Sequence, residues 1–226
     1  MEIQNLNQID RLKKQTEHGL EGIELSPMDP PEAYSPPAFN RIDSADMHPF
    51  LRKFSEEHLV FLEELKSFEE AILAIQKEGF TKDLDKRLRH FFHFFDQDFA
   101  SHSRREEFTL FPLLKKRLIA GGEHSPAEVP MTPVDLMEED HLKAVQLAAV
   151  VLNFLGLAFR LPDPKSRLIV LDAALEQGKN LVELLRLHIF REDHVVFPSA
   201  HHLISGSELD QMQYPLSLDG RGPGRG

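Results

Sequence analysis

His102-Ser-Arg-Arg-Glu106-Glu107-Phe-Thr-Leu-Phe111-Pro112 aligns without a gap to His188-Ile-Phe-Arg-Glu192-Asp193-His-Val-Val-Phe197-Pro198. Both stretches read His-x-x-x-Glu, a second acid, three residues, then Phe-Pro. The segments upstream match as well, Glu56-Glu57-His58-Leu59 against Glu139-Asp140-His141-Leu142. His58 precedes His102 by 44 residues and His141 precedes His188 by 47. Each half is therefore one helical hairpin, with a lone histidine on its first helix and a His/Glu pair on its second. Residues four apart on a helix share a face about one turn apart, so each pair can point at one ion.

The neighbours decide whether that face is the core. His102 follows Leu88, Phe91, Phe95 and Phe99 at helical spacing, and His188 follows Leu181, Leu184 and Leu185. His58 shares a stripe with Phe61, Leu62 and Leu65. His141 shares one with Val134, Met137, Val145, Ala148 and Leu152. A single histidine on an apolar face is ordinarily a core residue bonded to a neighbour. Two buried ionised glutamates with no Lys or Arg on their stripes are harder to absorb, because each costs several kcal/mol without a counter-charge. A cation at the centre is the simplest remedy. Nitrogen and carboxylate donors without sulfur suit iron, manganese or zinc. Two carboxylates among four imidazoles can bridge two ions roughly 3.5–4 Å apart. Iron is the expected metal, with manganese and then zinc behind it.

Working outward, apolar residues at helical spacing predict helices near 50–78, 81–119, 133–160 and 164–199. The breaks fall at Gly79, from Gly121-Gly122 to Pro133, and at Pro162 and Pro164. The expected fold is all-α, an up-down four-helix bundle over 50–202. Residues 1–49 read as an amphipathic helix (Ile3, Leu6, Ile9) and a proline-rich arm, and 203–226 as a flexible tail; either is a candidate contact for a protein partner. There is no cysteine, so disulfides and thiolate chemistry are excluded. The net charge of −11 works against nucleic acid and anionic membranes. The longest nearly apolar run, 148–159, falls short of the ~20 residues a membrane span needs. The start of the chain resembles no export signal, so a cytoplasmic location is expected.

These residues resemble the hemerythrin family, and in particular its bacterial HHE cation-binding branch, over residues 50–200. The resemblance rests on His58, His102/Glu106, His141, His188/Glu192 and the Phe-Pro after each pair. It implies a hemerythrin-like bundle holding two irons joined by an oxo or hydroxo bridge. Two histidines would serve each iron, with Glu106 and Glu192 spanning both. Oxygen-carrying hemerythrins have a further histidine four residues from the one on the third helix; Met137 and Val145 stand there instead, and Glu138 is the nearest substitute. Those carriers also place an Asp five residues after the last histidine, as Asp193 stands here, although the duplication favours Glu192. The four-His, two-Glu set is closest to di-iron proteins that repair iron–sulfur centres, which also carry a cysteine-containing domain that this chain lacks. The expected function is handling O₂, NO or peroxide, or supplying iron, in stress defence, with oxidoreductase-like activity. The alternatives are a non-enzymatic O₂ or iron storage or sensing module, or an interaction protein stapled by its metal.

Other features carry smaller expectations. His90 and His93 read as surface residues, and His194, His201 and His202 as solvated helix-end residues. Asp98 is a candidate hydrogen-bond partner for a ligand histidine. The phenylalanines read mainly as core, with a lining that admits O₂ or NO as an addition.

Overall fold

Helix ends in the computed structural model, which describes residue 42 and residues 46–213, follow from local chemistry. Helix α1 (Pro49–Glu78) starts with His48 Nδ1 accepting the Phe50 N–H and stops at Gly79, whose φ of 84° suits glycine. Helix α2 covers 82–121. Thr81 caps its start, and Gly122 ends it in the left-handed conformation. Helix α3 (Pro133–Ala158) opens on a Thr132/Asp135 capping box. Helix α4 covers 164–203, with Asp163 accepting the Ser166 N–H at its start. Among the described residues there is no strand. The amphipathic segment and nearly all of the proline-rich arm anticipated over 1–49 lie outside the described residues, as does the chain beyond 213.

The inward positions step alternately by three and four. On α1 they are Leu51, Phe54, His58, Phe61, Leu65, Phe68, Ile72 and Ile75; on α3 they are Val134, Met137, His141, Ala144, Ala148, Val151 and Leu155. This is the seam of coiled-coil-like packing. It corrects the stripes expected from the sequence: Leu62, Val145 and Leu152 are exposed, because a repeat of 3.5 residues per turn carries positions +4 and +11 out of the seam.

The apolar core is in two parts. One is built from Phe54, Leu114, Met137 and Phe197 with their neighbours, the other from Phe68, Phe91, Ala148 and Leu181 with theirs. Helices α1 and α3 run from the first part into the second, and α2 and α4 run back, which gives the up-down order. Between the two parts lies a layer of buried polar side chains: His58, His102, Glu106, His141, His188 and Glu192.

Two features depart from expectation. The stretch assigned to a flexible tail from 203 instead begins with a short helix, α5 (Gly206–Gln213), which buries Leu209 and ties Glu208 to Arg117 at 2.7 Å. A single buried apolar residue gives no period to detect. Helix α3 is also apolar enough, by length and composition, to cross a membrane, with a mean hydropathy of 1.5 over its best window. It nevertheless buries Asp140 and His141 inside the bundle.

Candidate metal centre

The Phe-Pro after each His/Glu pair has a local structural role. Pro112 and Pro198 lack an N–H, and their rings collide with the carbonyl one turn back. The helix widens to a π turn just before each, at Glu106–Leu110 and Glu192–Val196. Each turn absorbs one extra residue, so Phe111 and Phe197, five positions after the glutamates, return to the inward face with no exposure. Phe111 stacks on His141 (ring centroids 5.9 Å apart) and Phe197 on His58 (5.5 Å). Each therefore steadies the lone histidine of the other hairpin.

The six anticipated residues come together in the polar layer. His58 and His102 approach through their Nε2 atoms at 3.2 Å, and His141 and His188 at 3.1 Å. Each glutamate faces both pairs. Glu106 places Oε1 3.3 Å from His102 Nε2 and Oε2 3.4 Å from His141 Nε2. Glu192 places Oε1 3.3 Å from His188 Nε2 and Oε2 3.1 Å from His58 Nε2. Two overlapping four-residue groups result, His58/His102/Glu106/Glu192 and Glu106/His141/His188/Glu192, each with its donor atoms within 4.8 Å of one another.

Three acids outside this layer orient three of the rings. His58 Nδ1–H donates to Asp193 at 3.0 Å, His102 Nδ1–H to Glu57 at 2.8 Å and His141 Nδ1–H to Glu107 at 2.8 Å. Asp140 stands 3.8 Å from His188 Nδ1 and is held by Arg191 at 2.9 Å, as Arg105 holds Glu57. A carboxylate can only accept, so on His58, His102 and His141 the proton sits on Nδ1 and the Nε2 lone pair turns to the centre, while His188 Nδ1 has no hydrogen-bond partner. Glu57, the acid before His58, serves His102 of its own hairpin, and Asp140, the acid before His141, stands near His188 of its own without bonding it. The acid after each glutamate serves the lone histidine of the opposite hairpin.

Residues 49–200 match the family described as Hemerythrin HHE cation binding domain. The chain belongs to that family. No curated protein and no solved structure matches it.

The chain's own atoms fit the cation that the hemerythrin HHE family takes its name from. All four oxygens of Glu106 and Glu192 are buried and lack a hydrogen-bond partner, although an imidazole nitrogen stands within 3.4 Å of each. These contacts have the distance of hydrogen bonds without their angles: nitrogen and oxygen lone pairs converge on common points. Electrostatics agrees. Burial is the strongest influence on His58 and pushes its pKa down, yet Asp193 and Glu192 prevail and raise it to about 10. His102, also opposed by burial, is raised to about 9 by Glu106, Glu57 and Glu192, and His141 is raised too. Burial pushes Glu106 up, but His102 and His141 hold it well below the usual carboxylate range. Without a cation, protons on the rings balance the acids. A metal ion would take over that balance.

The structure separates the remaining candidates. Asp193 is partly exposed and occupied with His58 and Ser55, while Glu192 faces the centre. Glu138 is exposed and lies near Lys115, so it brings no oxygen to the layer. Met137 is buried in the apolar core. Asp98 is exposed rather than bonded to a ring. His90 is exposed and pairs with Glu64 at 3.1 Å, and His93 is exposed as well. The outer acids Glu57, Glu107 and Asp140 are the residues that sequence reasoning missed.

Proposed function

We propose that this metal-binding bundle is a non-haem dinuclear iron protein that reacts with a small ligand in stress defence. The carrying observation is the pair of glutamates whose four buried oxygens each face a different histidine. His58 and His102 would hold one ion, His141 and His188 the other, and Glu106 and Glu192 would each offer one oxygen to each ion. Four protein donors per ion leave positions open for an external ligand, which favours chemistry over a closed structural site. A bound iron pair supplies two electrons and exchangeable positions for O₂, NO or peroxide. The chain keeps His58, His102 and His141 in one tautomer through the outer acids, closes the layer with apolar residues on both sides and keeps bulk water away. Met137, buried in place of a fifth imidazole, favours this reading over storage or sensing of O₂ or iron.

The test is metal analysis of protein produced in iron-replete medium. Two irons per chain are expected; a reproducible content below one, with the helical fold intact, would remove the dinuclear reading.

A further inference from the structure

Three helices of the bundle turn charged residues to the outside, and the fourth does not. The exposed sides of α1, α2 and α4 carry Glu63 and Lys66, Arg89 and Asp96, and Glu176 and Glu183 respectively. On α3 no residue from Ala144 to Phe159 carries a charge. A helix that is apolar all round is ordinarily buried all round. Here the inner seam is buried, while Leu142, Val145 and Leu152 on the outer side are each at least half exposed.

The outer residues repeat as regularly as the inner ones. Leu142, Val145, Ala149, Leu152 and Gly156 step alternately by three and four, a second seam of the kind that pairs helices. Glycine inside a helix is costly against alanine. Packing within the chain does not require it at Gly156, where a Cβ would meet no neighbouring atom within 4 Å. The seam is also symmetric. Turned end for end about Ala149, it sets Leu142 against Gly156, Val145 against Leu152 and Ala149 against itself. Glu138, one turn before Leu142, then meets Arg160, one turn after Gly156. Both are exposed, with Lys115 standing 4.0 Å from Glu138.

We propose that this face pairs with the same face of a second copy, the two α3 helices lying antiparallel across a two-fold axis at Ala149. A two-fold contact uses one patch twice, so the patch must complement itself. This seam does so when one copy is reversed: the large Leu142 enters the space left by Gly156, and acid meets base at both ends. Parallel pairing would set leucine on leucine and Glu138 on Glu138, a like-charge contact. A lipid surface matches less well, because helices that lie on membranes are rich in Lys and Arg on their polar side. The apolar face of α3 is bordered at its start by Glu138 and Glu139. From Glu138 to Arg160 the strip runs ~33 Å and is ~10–12 Å wide, roughly half of the ~800 Å² per partner in a standard interface. The dimer is therefore reversible, with a dissociation constant on the order of 10 µM. Neither the metal nor the function proposed above enters this inference.

Sedimentation velocity of the full chain, at concentrations from well below to well above that value, should show monomer giving way to dimer. Ala149→Arg, which sets two like charges on the axis, should leave the chain monomeric with helix and metal content unchanged. Gly156→Leu should do the same by filling the space that Leu142 of the other copy occupies, and no neighbour in its own chain crowds it. Glu138→Arg should weaken the dimer by about tenfold, and adding Arg160→Glu should restore it, a rescue that only the antiparallel register gives. The chain has no cysteine, so Ala149→Cys should link to itself on mild oxidation, whereas Ser101→Cys on α2 should not. A chain that stays monomeric throughout overturns the proposal. Ala149→Arg would then distinguish the other occupants: a lowered melting temperature would point to residues 1–41 of the same chain, and lost binding to phosphatidylcholine vesicles to a lipid surface. A dimer that none of these substitutions weakens overturns it as well.

Discussion

Removing the metal should make the protein lose stability as pH rises. In the metal-free bundle the rings carry the protons that balance Glu106 and Glu192. His58 is raised from 6.5 to about 10, so the stability it lends is complete below pH 6.5 and lost as pH climbs through about 10. His102, raised to about 9, follows the same sign over a narrower window. One pKa unit corresponds to about 1.4 kcal/mol. The two rings share Glu192 and cannot both give up their full amount, so the loss between pH 6.5 and 9 is on the order of 3 kcal/mol. For a bundle of this size each kcal/mol shifts the melting temperature by roughly 2–4 °C, and a fall on the order of 10 °C is expected.

Metal reverses the sign. A cation binds only deprotonated rings, so its apparent affinity rises with pH and its stabilisation of the fold grows. Differential scanning calorimetry of chelator-stripped and metal-loaded protein across this range should show melting temperatures that diverge as pH increases. A stripped protein whose melting temperature stays level or rises from pH 6.5 to 9 would refute the reasoning, because the glutamates would then not be balanced by ring protons.

Three further outcomes are expected. Glu106→Ala and Glu192→Ala should lose metal on dialysis, whereas Glu107→Ala and Asp193→Ala should retain it with affinity weakened about 10–100-fold, the usual effect of removing an orienting partner; a reversal on α4 would make Asp193 the bridging acid. Phe197→Ala empties a fully buried position against His58 and should cost about 3–5 kcal/mol in urea denaturation. Leu209→Ala should cost about 2–5 kcal/mol by detaching α5, with metal content unchanged, because it lies in the apolar core beyond the polar layer.

The parts of this molecule legible in the sequence are those where chemistry constrains residue type. Charged and imidazole side chains inside apolar stripes are rare enough that His58, His102, Glu106, His141, His188 and Glu192 stand out without coordinates. Register is harder to read. Asp98 lies one regular turn before His102, but the Phe95–Phe99 turn adds a residue and leaves it exposed. Val145 and Leu152 fit a period of 3.6 and fail one of 3.5. The outer acids were visible as matched pairs, Glu57 with Asp140 and Glu107 with Asp193. Their role depends on which helices are neighbours, and spacing along one chain does not carry that.

The crossing of the outer acids explains why the duplicated unit works only as a pair. Either hairpin alone brings two histidines and one glutamate, three donors for one ion. The fourth donor of each group is the glutamate of the opposite hairpin: Glu192 beside His58 and His102, Glu106 beside His141 and His188. The phenylalanine stacked on each lone histidine, and the acid on its Nδ1, also come from across the interface. A hairpin separated from its partner therefore loses one glutamate and both supports of its lone ring together. Metal affinity and hairpin docking are thus one coupled equilibrium. Coupling of this kind accounts for a buried layer of two acids and four rings in the middle of an apolar core: it destabilises the empty bundle at high pH and fastens its two halves when a cation is bound.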